Sequence, residues 1–214
     1  MAARISGLYA LTPDTADTGV LAAMVRAALE GGCRWVQYRN KTADGVLRRE
    51  QALVLRRVTA HWGAALIVND DPALALAAGA DGVHLGGEDA PVDEARRLLG
   101  AGRIIGASCY DRLDLALAAQ AAGADYVAFG SFFPSPVKPG AVRPEPGLLT
   151  RARERINLPL VAIGGITPEN APALIAAGAS ALAVVTALFG AADVAGAARR
   201  FCRLFNISTV ASES

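Results

Sequence analysis

One pattern constrains the fold of this chain more than any other: a glycine-closed helix end followed by a short apolar run, repeated four times. Glu30-Gly31-Gly32-Cys33 precedes Trp35-Val36-Gln37, and Ala78-Gly79-Ala80-Asp81 precedes Val83-His84-Leu85. Ala122-Gly123-Ala124-Asp125 precedes Tyr126-Val127-Ala128-Phe129, and Ala177-Gly178-Ala179-Ser180 precedes Ala181-Leu182-Ala183-Val184. Glycine suits such a helix end because the chain there enters the left-handed region, which side chains disfavour. Helices alternating with short apolar strands specify a parallel sheet. Filling the intervals gives eight strands, beginning near Ile5, Trp35, Ala65, Gly82, Ile104, Tyr126, Pro159 and Ala181. Apolar residues at three- and four-residue spacing mark helices most clearly over residues 20–29 and 46–61, and also over 112–122 and 193–205. Eight units of roughly 27 residues each suit a closed (β/α)8 TIM barrel near the small end of its range. A doubly wound open sheet would also alternate strand and helix, but eight very short strands favour closure. The barrel is expected to fill residues 1–207 as a single domain, with 208–214 a frayed polar tail.

Charge and composition narrow the function classes. Lys+Arg number 21 against Asp+Glu 20, a formal net charge of +1. That balance gives no reason to expect nucleic acid or an acidic membrane surface as partner. Cys33, Cys109 and Cys202 match neither a zinc spacing nor a disulfide framework. No secretory apolar core opens the chain, and the apolar stretch 181–192 is too short to cross a bilayer. A cytoplasmic protein acting on small molecules is expected, with a homodimer left open.

In a barrel of this kind the active site lies at the C-terminal ends of the strands. The third strand exits at Asn69-Asp70-Asp71-Pro72 and the fourth at Gly86-Gly87-Glu88-Asp89. Adjacent parallel strands end on the same edge, so Asp70 and Asp89 are expected side by side. Two such carboxylates can hold magnesium when a ligand phosphate supplies further oxygens. Asp71 reads instead as an N-cap before a first-turn proline. The second strand exits through Gln37-Tyr38-Arg39-Asn40-Lys41, where alternation puts Gln37, Arg39 and Lys41 on the mouth side and Tyr38 under the helices. Cations gathered there favour an anion, although ion pairs at a solvated strand end would also account for them. His84 reads as a hydrogen-bonded core histidine. Ser108 is a candidate ligand donor, and Cys109 raises a Cys–His nucleophile reading that lacks a third orienting group. The longest loop, 131–147, carries five prolines with Ser135, Lys138 and Arg143, as a lid or binding loop would. Gly164-Gly165 and Val185-Thr186 precede helix starts, where backbone N–H groups cradle phosphate; glycine there for packing alone is the alternative.

Taken together, these segments resemble the thiamine-phosphate synthase family from near Tyr9 to near Phe189. The resemblance rests on Gln37-x-Arg39-x-Lys41, Asn69-Asp70-Asp71, Asp81 through Asp89, Gly106-x-Ser108, Phe133-Pro134-Ser135-Pro136-Val137-Lys138 and Gly164-Gly165-Ile166. It implies two substrates, a hydroxymethylpyrimidine diphosphate and a thiazole phosphate in its carboxylated form, giving thiamine phosphate, pyrophosphate and carbon dioxide. By the same resemblance Gln37, Tyr38, Arg39, Asn40, Lys41, Asn69, Ser108 and Lys138 hold the pyrimidine diphosphate, and Arg39, Lys41, Ser108 and Lys138 are catalytic. Ser135, Pro136, Val137, Gly165, Val185 and Thr186 meet the thiazole phosphate, and Asp70 and Asp89 bind the Mg2+ cofactor. Pyrophosphate leaves first in this family, and the thiazole nitrogen captures the resulting pyrimidine-methyl cation, so no protein nucleophile is needed. Val137 stands where the family often has threonine, and Gly87 where it often has glutamine. A thiazole tautomerase of the same fold and a non-catalytic phosphate sensor remain alternatives. The first would not need the pyrimidine-diphosphate residues, and the second would need an output segment that the sequence does not display.

Overall fold

A computed structural model describes residues 4–134 and 143–210. Eight parallel strands close in chain order, each hydrogen-bonded to the next and the last to the first. They are β1 Gly7–Leu11, β2 Trp35–Tyr38, β3 Ala65–Asn69, β4 Gly82–Leu85, β5 Ile104–Tyr110, β6 Tyr126–Phe129, β7 Leu160–Ile163 and β8 Ala181–Val184. The helices outside are α1 Thr18–Glu30, α2 Gly45–His61, α3 Pro72–Ala78, α4 Val92–Leu99, α5 Leu113–Ala121, α6 Gly147–Arg153, α7 Ala171–Ala176, α8 Thr186–Phe189 and α9 Val194–Val210. This is the single (β/α)8 barrel read from the repeat. The first strand starts two residues later than Ile5, because Gly7 turns to φ 79° before the extended run begins. At the other end α9 continues to Val210, so the first residues of the segment expected as a tail prolong the helix. Residues 211–214 lie outside the described residues. No helix among the described residues is long and apolar enough to cross a membrane.

Alternation along each strand builds two cores. Tyr9, Leu11, Trp35, Ile67, Ile104, Tyr126, Ala128, Val161, Ala181 and Ala183 fill the barrel interior. Their neighbours, such as Leu8, Val36, Leu66, Val83, Val127 and Leu182, pack outward under the helices.

The repeat itself has a structural cause. Gly32, Gly79, Gly123 and Gly178 all carry positive φ, as a left-handed helix exit requires. The residue two places after three of these glycines then ties its strand to the preceding one. Asp81 donates its N–H to Leu66 O and accepts Leu66 N–H on Oδ2, both at 2.8 Å. Asp125 does the same with Ile105, at 2.7 and 2.8 Å. Ser180 repeats it with Leu160, at 2.7 and 3.3 Å. Arg56 and Arg96 neutralise the two acids at 3.4 and 2.5 Å. These pins lie at the N-terminal face of the barrel, opposite the chemistry.

Candidate active site

The acid pair forms as its strands dictate. Asn69 registers with His84 across β3 and β4, and Asp70 N–H donates to His84 O at 2.8 Å. Asp70 takes φ 64°, a conformation that aspartate tolerates better than most residues. Asp89 is held by the Gly86 N–H, 2.6 Å from its Oδ2. The Asp89 carboxyl lies beside that of Asp70. Burial, followed by this contact and the Asp89 charge, raises the Asp70 pKa, while the Lys41 ammonium and Asn69 pull it down. Lys41 Nζ lies 3.7 Å from Asp70 Oδ2. Asp71, beside them, caps α3 by accepting Leu74 N–H and pairs with Arg48 at 3.1 Å.

Hard oxygen donors held in contact make a fitting half-site for magnesium, which usually takes one or two carboxylates and leaves the rest of its shell to water and substrate phosphate. No cluster of three or more metal-ligating His, Cys, Asp or Glu side chains occurs among the described residues. A cation here would therefore depend on the substrate for its remaining oxygens.

The second-strand exit is organised by the loop after β1, which no motif in the sequence marks. Thr12 Oγ1 donates to Arg39 O and accepts Arg39 N–H, both at 2.9 Å. Asp14 Oδ1 accepts from Arg39 at 3.0 Å and from Lys41 N–H at 2.9 Å. Arg39 and Lys41 lie beyond the end of β2, so alternation does not govern them. Arg39 leans to the β1 side and Lys41 to the β3 side. Gln37 faces inward. Tyr38 points under α2, its hydroxyl donating to Gln51 Oε1 at 2.9 Å. Asn40 is buried and donates to Thr15 O and Gln51 Oε1 at 2.7 and 3.0 Å. The Tyr38 and Asn40 side chains are thus committed to the scaffold. A cavity of about 250 Å³ opens between the β2 and β3 exits, with Arg39, Lys41, Arg48, Asn69 and Asp70 in its wall. Arg48, at the start of α2, adds a cation that no local motif marks.

Across the barrel, His84 hydrogen-bonds Tyr126 Oη through Nδ1 and Ser108 Oγ through Nε2, each at 2.9 Å. Burial lowers its pKa from 6.5 to about 4, so the ring is neutral. Cys109 points the other way, into the outer core, and burial pushes its thiol up to about 12. A Cys109–His84 nucleophile is therefore not assembled. The His84 shift carries a stability prediction. Between pH 6.5 and 4 the unfolded chain binds a proton that the fold refuses, so stability is full above pH 6.5 and falls as the pH drops towards 4. The loss is about 2 kcal/mol by pH 5. Urea midpoints at pH 7 and pH 5 should differ accordingly, and His84→Gln should remove most of that difference. An equal pH dependence in the variant would assign it to carboxylates instead.

Ser135, Pro136, Val137 and Lys138 lie outside the described residues. The start of their loop is described, and two glycines seat it. Phe132 and Phe133 donate their N–H groups to Ile163 O and Gly164 O at 3.1 and 3.0 Å. A Cβ at Gly164 would strike Ser131, and one at Gly165 would strike Phe133 and Pro134. Close packing is therefore one cause of these glycines. Val185 stands at the N-cap of α8, and its carbonyl accepts from the Leu188 and Phe189 N–H groups, which leaves those of Thr186 and Ala187 without an acceptor inside the helix. Gly87 also has a local cause. The Tyr110 hydroxyl lies over it, accepting Gly87 N–H at 3.2 Å, and a larger residue would crowd that ring.

A closed parallel barrel whose C-terminal rim gathers paired acids among cations defines an enzyme of the (β/α)8 class built for anionic substrates. Comparison with known proteins makes this specific. The family model described as thiamine monophosphate synthase matches residues 8–188, and the chain belongs to that family. It is 58% identical over 199 residues to thiamine-phosphate synthase of Thiobacillus denitrificans, covering 93% of this chain and 94% of that one. To the protein of the same name from Thioalkalivibrio sulfidiphilus it is 54% identical, with 95% and 97% covered. Among solved structures, thiamine phosphate pyrophosphorylase from Pyrococcus furiosus superposes with a TM-score of 0.83 at 36% identity, covering 94% of this chain and 96% of that one.

Proposed function

We propose that this rim is the active site of a thiamine-phosphate synthase, a transferase joining hydroxymethylpyrimidine diphosphate to a carboxylated thiazole phosphate. The observation that carries the reading is the Asp70–Asp89 contact beside Lys41, with Arg39 and Arg48 on the same cavity wall. The C–O bond to the diphosphate breaks and its electrons leave with pyrophosphate. The thiazole nitrogen then donates its lone pair to the exposed methylene carbon, and the thiazolium so formed loses its carboxylate as carbon dioxide, a proton taking its place. What the chain must supply is stabilisation of charge growing on the leaving group and alignment of two substrates away from water. Arg39, Lys41 and Lys138 serve the first task. Gln37, Asn69 and Ser108 orient the pyrimidine, and Ser135, Val137, Gly165 and Thr186 hold the thiazole phosphate. Asp70 and Asp89 would hold a magnesium ion, whose chemistry is Lewis-acid neutralisation of the diphosphate. Three free cysteines accord with a cytoplasmic setting.

The decisive experiment incubates the protein with both substrates, with magnesium or with a chelator, and follows thiamine phosphate and pyrophosphate. Equal amounts of both in the magnesium sample support the reading, and turnover of the thiazole phosphate alone would favour a tautomerase. Val137 offers a finer test. Where threonine would add a hydroxyl to the thiazole phosphate, valine forfeits a bond to a charged group worth roughly 1.5–3 kcal/mol. Val137→Thr should lower the KM for thiazole phosphate several-fold and leave that for the pyrimidine diphosphate unchanged. A shift confined to the pyrimidine KM would mean that this loop serves the other substrate.

A further inference from the structure

A continuous chain of hydrogen bonds crosses the barrel interior beneath the mouth, and the comparisons assign it no role. Gln37 Nε2 donates to Tyr9 Oη at 2.8 Å, Tyr9 and Tyr126 hydroxyls meet at 2.8 Å, Tyr126 meets His84 Nδ1 at 2.9 Å, and His84 Nε2 meets Ser108 Oγ at 2.9 Å. The five residues come from β2, β1, β6, β4 and β5. The middle three are packed as well as bonded. His84 stacks on Tyr126 with centroids 5.5 Å apart, and Tyr9 meets the same ring edge-on at 6.0 Å. Gly106 makes this possible, since a Cβ there would occupy the Tyr126 ring. Tyr9 and Tyr126 are fully buried, whereas Ser108 is only partly so. Gln37 Oε1 has no protein partner among the described residues.

Counting protons fixes the direction of this chain. Each hydroxyl has one proton, and a neutral imidazole has one to share between its two nitrogens. When Gln37 donates to Tyr9, the Tyr9 proton goes to Tyr126 and the Tyr126 proton to His84 Nδ1. The Nε2 proton then goes to Ser108, whose own proton is free to face the mouth. If Gln37 presents its oxygen inward instead, every link reverses, and Ser108 donates inward. Any mixed order strands a buried hydroxyl proton without an acceptor, which costs the desolvation of that group. An imidazolium would donate from both nitrogens and break the order. The burial of His84 keeps it neutral.

We propose that Tyr9, Tyr126 and His84 form a positioning relay that couples the hydrogen-bond direction of Gln37 to that of Ser108, so that one end of the pyrimidine site accepts when the other donates. This rests on the pyrimidine site proposed above. An aminopyrimidine carries both donors and acceptors, and a donor and an acceptor fixed at opposite ends of the site select one orientation of its ring. No proton is transferred along the relay. It orders groups that touch substrate without touching substrate itself.

The test has a spectroscopic arm and a kinetic arm. The chain holds two histidines, so 15N-histidine labelling gives a readily assigned spectrum. The free protein at neutral pH should show His84 as the single neutral tautomer protonated at Nε2, and Tyr126→Phe, which keeps the ring, should yield a mixture of tautomers. Kinetically, Tyr126→Phe should lower kcat/KM for the pyrimidine diphosphate about tenfold while leaving the thiazole phosphate KM unchanged. The effects of Gln37→Ala and Ser108→Ala should be strongly non-additive in the natural chain and multiply independently in the Tyr126→Phe background. A protonated or tautomer-averaged His84 in the natural chain would overturn the relay, as would independent effects of Gln37 and Ser108. Absence of any activity with these substrates would count against the proposed reaction, and the spectroscopic arm would still decide the relay.

Discussion

Replacing Asp70 or Asp89 with asparagine should remove most turnover, and replacing both should cost little more than replacing one. The two carboxyls touch, and burial together with that contact already raises the Asp70 pKa. A pair in this state acts as one binding group, so the loss of either member forfeits the shared function. Asparagine is the appropriate replacement because it tolerates the φ of 64° at Asp70, which alanine would not. Loss of a properly placed charge-stabilising group typically costs on the order of a hundred- to a thousandfold in kcat. Steady-state rates for the two single variants and the double variant, measured across a magnesium titration, give the result directly. Single losses that multiply in the double variant would mean the two acids work separately, and full activity of either single variant under chelation would remove the metal from the reading altogether.

Arg39→Ala and Lys138→Ala should each lower kcat by on the order of a hundredfold or more, because the charge they oppose grows as the diphosphate departs. Arg39 is ready for this before any substrate arrives. Thr12 fixes its backbone and Asp14 its guanidinium, so little ordering remains to be done on binding. Asp14→Asn should consequently hurt less than Arg39→Ala, since it loosens the arginine without removing it. Varying each substrate in turn separates the roles. A rise in the pyrimidine-diphosphate KM with kcat intact would assign the residue to ground-state binding.

Much of this site was readable in the chain because its geometry follows from strand order. Adjacent parallel strands had to bring Asp70 and Asp89 together, and a proline after Asp71 had to make that residue a cap. What escaped was fixed by distant contacts. Nothing near Asp14, Thr12 or Thr15 announces that they shape the β2 exit, since each acts on a residue a whole helix away in sequence. Tyr38 and Asn40 sit between residues proposed to bind ligand, yet their side chains are tied to Gln51 of α2. Nothing local singles out Tyr9 and Tyr126, because their hydroxyl contact joins residues 117 positions apart. Arg39 and Lys41 diverge because β2 ends before them, and a two-residue period holds only while the strand lasts.

The pins at Asp81, Asp125 and Ser180 bear on how such a barrel finds its stagger. Each binds an even-numbered strand to the odd-numbered strand just before it, β3 to β4, β5 to β6 and β7 to β8. Alignment is therefore specified in two-strand modules by residues close in the chain, with short loops to close. A slip of one residue would have to break both bonds of a pin and turn the inward side chains of that strand outward. Three of the four quarter-barrels thus have their internal fit settled locally, and β1–β2 is the pair that carries no such pin among the described residues. The joints between modules, including the seam between β8 and β1 where Gly7 N–H meets Ser180 O, have only to accept staves already cut to length.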